Sequence, residues 1–198
     1  MSAVSCGTGT AFAALERLDV SGRDTLAVFG LGPVGQSVIQ LASAMGVQTL
    51  AVDVSAERVQ QALDFGASGA VDSSKSDAVE AIMQWTRGKG ATAALDCAGV
   101  AAARHAAVQC TSTWGRIAFV GVGGSLTLDP TSDLILKQRT VIGHLTFSDI
   151  AMGKCVRFVA DHGIDLDRQF SDRWKLEDAV EAYQKFDQQS AGKAVFEF

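Results

Sequence analysis

Thr25-Leu26-Ala27-Val28-Phe29-Gly30-Leu31-Gly32-Pro33-Val34-Gly35 is the stretch that decides the fold. Its first five residues are short and apolar, as in a strand covered on both faces. Gly30, Gly32 and Gly35 follow at once in the spacing GxGxxG. Val34, Val38, Leu41 and Met45 then recur at helical spacing and predict a helix over 33–45. Pro33 suits the first helical turn, and Gly46 ends the helix. Spaced glycines alone are a weak signal. A strand before them and a helix after them is the context that a dinucleotide-binding turn requires. Gly30 then allows the tight turn, Gly32 leaves room for a pyrophosphate, and Gly35 lets helix and strand pack closely. Leu31, Pro33 and Val34 complete the turn, where unpaired N–H groups and the positive dipole end face the diphosphate.

Asp53 ends the second strand, over 48–52, and lies 18 residues past Gly35. A carboxylate there accepts both hydrogen bonds from an adenosine ribose diol and repels a 2′-phosphate, which favours NAD over NADP. Arg58 is placed to hydrogen-bond the same ribose or to reach a 2′-phosphate, so the preference stays open.

Outward from this unit, apolar runs alternate with helical patterns, the signature of a parallel sheet. Further strands are expected at 70–71, 93–97, 116–120 and 140–145, with helices over 8–18, 55–65, 76–86 and 100–110. Six strands with covering helices predict an α/β, doubly wound parallel sheet, the Rossmann fold. Residues 1–150 form that unit with its leading helix. Residues 151–198 complete a more polar tail, with helices over 149–162 and 176–187 and a last strand over 194–198. Cys97-Ala98-Gly99 and Val120-Gly121-Val122 fall at carboxyl ends of strands, where ligands bind in this fold.

The chain of 198 residues has a formal net charge of −5, and no basic stripe suggests nucleic acid. No run reaches the roughly 18 apolar residues of a membrane helix. Met1-Ser2-Ala3-Val4 lacks a leader's basic region. Four scattered cysteines without a leader read as reduced cytoplasmic thiols, with Cys97, Cys110 and Cys155 as packing residues. His105, His144 and His162 show no metal-ligand spacing and read as surface or core residues.

Several motifs in order resemble the zinc-type medium-chain alcohol dehydrogenases. They are Cys6-Gly7-Thr8-Gly9-Thr10, the Gly30–Gly35 turn, Asp53 with Arg58, Asp96-Cys97-Ala98-Gly99, Gly115-Arg116-Ile117 leading to Val120-Gly121-Val122, and Gly192-Lys193. The resemblance spans essentially the whole chain and implies a cofactor-binding portion whose N-terminal catalytic domain is absent. It implies hydride transfer between a small alcohol or polyol and NAD in an intact parent. It places Cys6 as one thiolate ligand of a catalytic zinc, the other ligands coming from that missing domain; one thiolate cannot hold a tetrahedral zinc. It also places Thr10, the catalytic candidate, against the nicotinamide, Lys193 at the diphosphate, and Leu145-Thr146-Phe147 at the nicotinamide end.

Two alternatives stand beside this reading: a zinc-free quinone or enoyl reductase of the same superfamily, and a nucleotide-binding module without catalysis. Cys6 and Asp53 argue against the first. A methyltransferase ranks lower, because Leu26-Ala27-Val28-Phe29 lacks the acid such enzymes carry before the glycine turn. The sixth strand, at the end of the sheet, offers unpaired backbone to a second copy and suggests a homodimer.

Overall fold

The computed structural model describes residues 2–188 and 192–198. Met1, the start of the stretch read for a leader, lies outside the described residues. Six parallel strands form the main sheet: β1 (Thr25–Phe29), β2 (Gln48–Asp53), β3 (Gly69–Asp72), β4 (Ala91–Asp96), β5 (Thr111–Phe119) and β6 (Thr140–Gly143). Their order is β3-β2-β1-β4-β5-β6, so the sheet is the doubly wound one expected. The strand order reverses its progression between β1 and β4, which run parallel, and the crevice there is where such sheets bind ligands.

Alternation along β1 builds the two layers. Leu26 and Val28 point to one face, and Ala27 and Phe29 to the other. The first face packs under α1 (Gly9–Leu18), α2 (Pro33–Ala44) and α3 (Ala56–Asp64), through Leu15, Leu41 and Ala62. The second packs under α4 (Ala78–Trp85) and α5 (Ala101–Gln109), through Ile82 and Val108. A π-helical turn, Val4–Thr8, leads into α1.

The register brings the strand ends into one row: Phe29 pairs with Val52 and with Asp96, Asp96 with Phe119, and Phe119 with Gly143. Candidate residues thus meet along a single edge of the sheet. β5 begins earlier than expected, at Thr111, and shifts register between Ala91 and Ala93 of β4. The glycine at 115 and the left-handed Trp114 (φ 63) hide that start from a strand pattern. β6 ends at Gly143, two residues short; the chain turns away at Thr146, which takes left-handed backbone (φ 55).

The tail is less separate than its polarity suggests. α6 (Asp149–Asp161) buries Cys155 completely in the first core layer, against α1. Beyond it β7 (Phe170–Trp174) and β8 (Lys193–Phe196) pair in parallel, with α7 (Ala179–Asp187) between them. β7 escapes the sequence because Asp172 occupies one of its inward positions, where it accepts hydrogen bonds from Lys185 and Ser171.

A buried polar chain fastens the tail to α2. Thr8 and Ser37 hydroxyls lie 3.0 Å apart, and Ser37 shares its proton between the Pro33 carbonyl and Gln169 Oε1. Gln169 Nε2 donates to Gln40 Oε1 at 2.7 Å. Gln169→Leu leaves Gln40 with an unpaired buried oxygen and should cost about 1–3 kcal/mol. Urea unfolding followed by tryptophan fluorescence measures this; an unchanged midpoint contradicts it.

Candidate functional site

The glycine turn has the geometry its spacing foretells, one glycine at a time. Gly30 takes φ 84, and a β-carbon there would stand 2.6 Å from the Ala98 nitrogen. Gly35 presses on the turn itself: a β-carbon would collide with the Gly30 carbonyl oxygen. Gly32 has nothing within 4 Å of the same position, so the space in front of it is open. Gly32 is also the N-cap of α2 and supplies no side-chain cap, and Pro33 carries no N–H. The first-turn amides of Val34 and Gly35 therefore face that opening with the positive end of a 12-residue helix behind them.

Asp53 is buried at the end of β2. The Leu31 amide donates to its Oδ2 at 2.6 Å, and the Ser55 amide to its Oδ1 at 2.9 Å. Arg58 Nη1 lies 4.0 Å from Oδ2. A carboxylate offers about four acceptor positions, so two remain for a diol. Ser55 caps α3 by accepting from the Arg58 amide, which fixes the arginine beside the acid.

A second carboxylate organises the next two strand ends. Asp96, fully buried, accepts from the Ala98 and Gly99 amides at 2.9 and 3.1 Å and from Arg104 Nε at 3.3 Å. Arg104 donates onward to the Gly121 and Gly124 carbonyls at 2.7 and 2.9 Å. Gly121 and Gly99 are in such contact that a β-carbon on either would strike the other's loop. Sequence reading placed both glycine loops at the site but gave Arg104 no part. Its signal was there: an arginine eight residues after Asp96, on the first turn of the following helix.

Gly30, Gly32, Asp53, Arg58, Cys97 and Ala98 line one cleft of about 650 Å³. Ser73, Ser76 and Asp77, after β3, close its far end and were not anticipated. Cys6, Pro33, Val34 and Lys193 line a second cavity of about 400 Å³, closed by Tyr183 and Phe186 of α7. Lys193 Nζ donates to the Ser2 carbonyl at 3.3 Å. Val120 is buried in the core and Leu31 wholly so, with its amide spent on Asp53; Val122 is 83% exposed. Thr10 lies on α1 away from both cavities' linings, next to Gly9, on which the Phe147 ring rests.

The cysteines divide by environment. Cys6 is exposed. Burial pushes the Cys110 thiol up to about 12 and the Cys155 thiol up to about 11. Burial, with the Asp96 charge added, also pushes Cys97 up, so all three stay protonated near neutral pH. Among the described residues no three His, Cys, Asp or Glu side chains gather as a metal site, so Cys6 stands without companions for a zinc.

Known proteins resemble this chain in sequence and fold. A family profile described as zinc-binding dehydrogenase matches residues 33–161. The chain is 34% identical, over 98% of its length and 56% of the relative's, to an uncharacterized zinc-type alcohol dehydrogenase-like protein, YphC, of Escherichia coli. It is 36% identical to the (R,R)-butanediol dehydrogenase of Bacillus subtilis, over 64% of this chain and 37% of that one. The alcohol dehydrogenase TADH of Thermus sp. ATN1 superposes with a TM-score of 0.92 at 26% identity, covering 98% of this chain and 57% of that one. The chain spans about half the length of the curated relatives it matches. With the profile covering well over half of its residues, the chain belongs to the zinc-binding dehydrogenase family.

Proposed function

We propose that this chain is the NAD-binding portion of an alcohol or polyol dehydrogenase. The observation that carries the reading is the pairing of opposites in one turn: Gly35 in contact with Gly30, and Gly32 facing empty space at an uncapped helix N-terminus. Uncommitted amides, a dipole and an opening together suit a diphosphate. Asp53, with acceptor positions to spare, suits the adenosine ribose, and its charge disfavours a 2′-phosphate. The Cys97-Ala98-Gly99 and Val120-Gly121-Val122 loops, locked together by Asp96 and Arg104, offer backbone to the nicotinamide half. Lys193 beside Pro33 and Val34 suits the diphosphate's outer oxygens; Thr10, outside both cavity linings, is assigned to the nicotinamide face by the family resemblance alone.

Bound NAD supplies the hydride acceptor. This chain's own residues hold and orient it: amides bind the phosphates, Asp53 fixes the ribose, and the rigid glycine loops exclude water from one face. The described residues do not fit a zinc, because no three side chains able to ligate it come together. Relatives named as sorbitol and butanediol dehydrogenases support a small alcohol or polyol as substrate class. The exposed Val180, Tyr183 and Phe186 of α7 suit packing against a further domain, toward which the 151–198 tail leads. The β6 edge, with Leu145 exposed beside it, suits a two-fold partner. Among the described residues no helix is long and apolar enough to cross a membrane, and a cytoplasmic location fits the reduced thiols.

Calorimetric titration tests the nucleotide reading. NADH should bind more tightly than NADPH, and Asp53→Ala should weaken NADH by roughly 1.5–3 kcal/mol, the worth of charge-assisted bonds. Equal affinities for the two in the unmodified chain would overturn the preference. Gly32→Val, which fills the open space without touching the core, should abolish binding while leaving the thermal midpoint near its original value. Retained affinity in that variant would remove the diphosphate from the turn. A third expectation concerns zinc: supplied with zinc, NAD and a panel of alcohols and polyols, the 198-residue chain should show no turnover. Stoichiometric zinc with NAD reduction above the blank would contradict it.

A further inference from the structure

α1 carries Thr10 and Arg17 seven residues apart, hence on one face. That face looks onto the exit of β6. Arg17 Nη1 donates to the Gly143 carbonyl at 2.7 Å and lies 3.4 Å from His144 Nδ1. His144 is 9% exposed, and its amide donates to the Phe119 carbonyl at 2.9 Å. A guanidinium only donates, so Nδ1 holds the lone pair and the ring proton sits on Nε2. The Thr10 and Thr146 carbonyls flank the ring and favour a proton on it, yet Nε2 completes no hydrogen bond among the described residues. Immediately beyond, Thr146 holds left-handed backbone (φ 55), rare for a β-branched residue, and the Phe147 ring packs so close to Gly9 that a β-carbon there would strike it. A strained turn persists only when its surroundings over-determine it. Here the surroundings are Arg17, His144 and the α1 backbone.

We infer that Arg17 and His144 are a positioning pair that holds Leu145-Thr146-Phe147 against Thr10, and that protonation of His144 opens it and weakens binding of the nicotinamide half. The inference rests on the proposed nucleotide site and adds two residues to it, neither of which touches the ligand. Its charge balance is local. The groups around the ring are Arg17 and Glu16 from α1 and Lys154 from α6, and Lys154 is paired with Glu16 at 3.0 Å. Arg17 is therefore the cation left facing Nδ1, and a second ring proton would point at it. Burial first, and Arg17 second, hold the ring below its ordinary value of 6.5. A base lowered in this way is neutral, with the pair intact, above 6.5; the arrangement loses stability as the pH falls through that value and below it.

The experiment is calorimetric titration of the full chain with NAD and with ADP-ribose, which lacks only the nicotinamide, at about pH 7.5 and about pH 5.5. NAD affinity should fall about three- to fivefold on acidification, short of the roughly tenfold that a ring titrating at its ordinary value of 6.5 would give, while ADP-ribose changes less than about twofold. Arg17→Met should weaken NAD about fivefold at the higher pH and spare ADP-ribose. His144→Asn keeps a neutral acceptor near the Nδ1 position and should flatten the pH dependence of NAD without lowering its affinity at the higher pH. Equal losses for both ligands in Arg17→Met, or a persistent pH dependence in His144→Asn, would overturn the pair alone. Failure of the unmodified chain to bind ADP-ribose would overturn the nucleotide site, and the pair with it.

Discussion

Contact between Gly35 and the Gly30 carbonyl is the constraint on which the rest of the site depends. α2 can lie that close to the end of β1 only because position 35 has no side chain. The approach puts the first turn of α2 directly beyond the strand end, where its amides face the crevice between β1 and β4. It also sets the height of Leu31, whose amide then reaches Asp53 across the end of β2. One larger side chain at position 35 would lift the helix, and the opening in front of Gly32 would lose its floor.

Two buried carboxylates extend this arrangement along the row of strand ends. Asp53 and Asp96 each spend oxygen lone pairs on loop amides, so each fixes the loop that follows its strand. They differ in what remains. Beyond its two amide donors, Asp53 has Arg58 beside it at 4.0 Å and keeps acceptor capacity toward the cleft. Asp96 is closed off by Arg104, whose other nitrogens tie the Gly121 and Gly124 carbonyls. The same residue type thus serves the proposed ligand in one strand and the scaffold in the next. Which role each takes is set by the position of one arginine.

The six strands of a doubly wound sheet were legible because the first four are short and largely apolar and alternate with helices, two of which have a recognisable stop at Gly46 and Gly66. The geometry of the glycine turn was legible because spacing and flanking elements together leave few conformations. The partners of Asp53 were not, since a backbone amide 22 residues earlier leaves no mark on a sequence pattern. Arg104 went unnoticed for a similar reason: its partners are carbonyls, which every residue has. β7 was hidden by Asp172 at an inward position, and the docking of α6 by its polar exposed face, although Cys155 marked the buried one. His144 was read as an ordinary core or surface residue. Its burial agrees, but the adjacent cation comes from a helix 127 residues away and shows only in three dimensions.

The central claim is that the uncapped, open first turn of α2 receives the diphosphate. Amide chemical shifts recorded while ADP-ribose is added to the isotopically labelled chain address it directly. The account predicts the largest changes at Gly32, Val34 and Gly35, with further changes at Leu31 and Ser55 as the ribose meets Asp53. Shifts confined to residues outside the cleft, with the amides of 32, 34 and 35 unmoved at saturation, would contradict it.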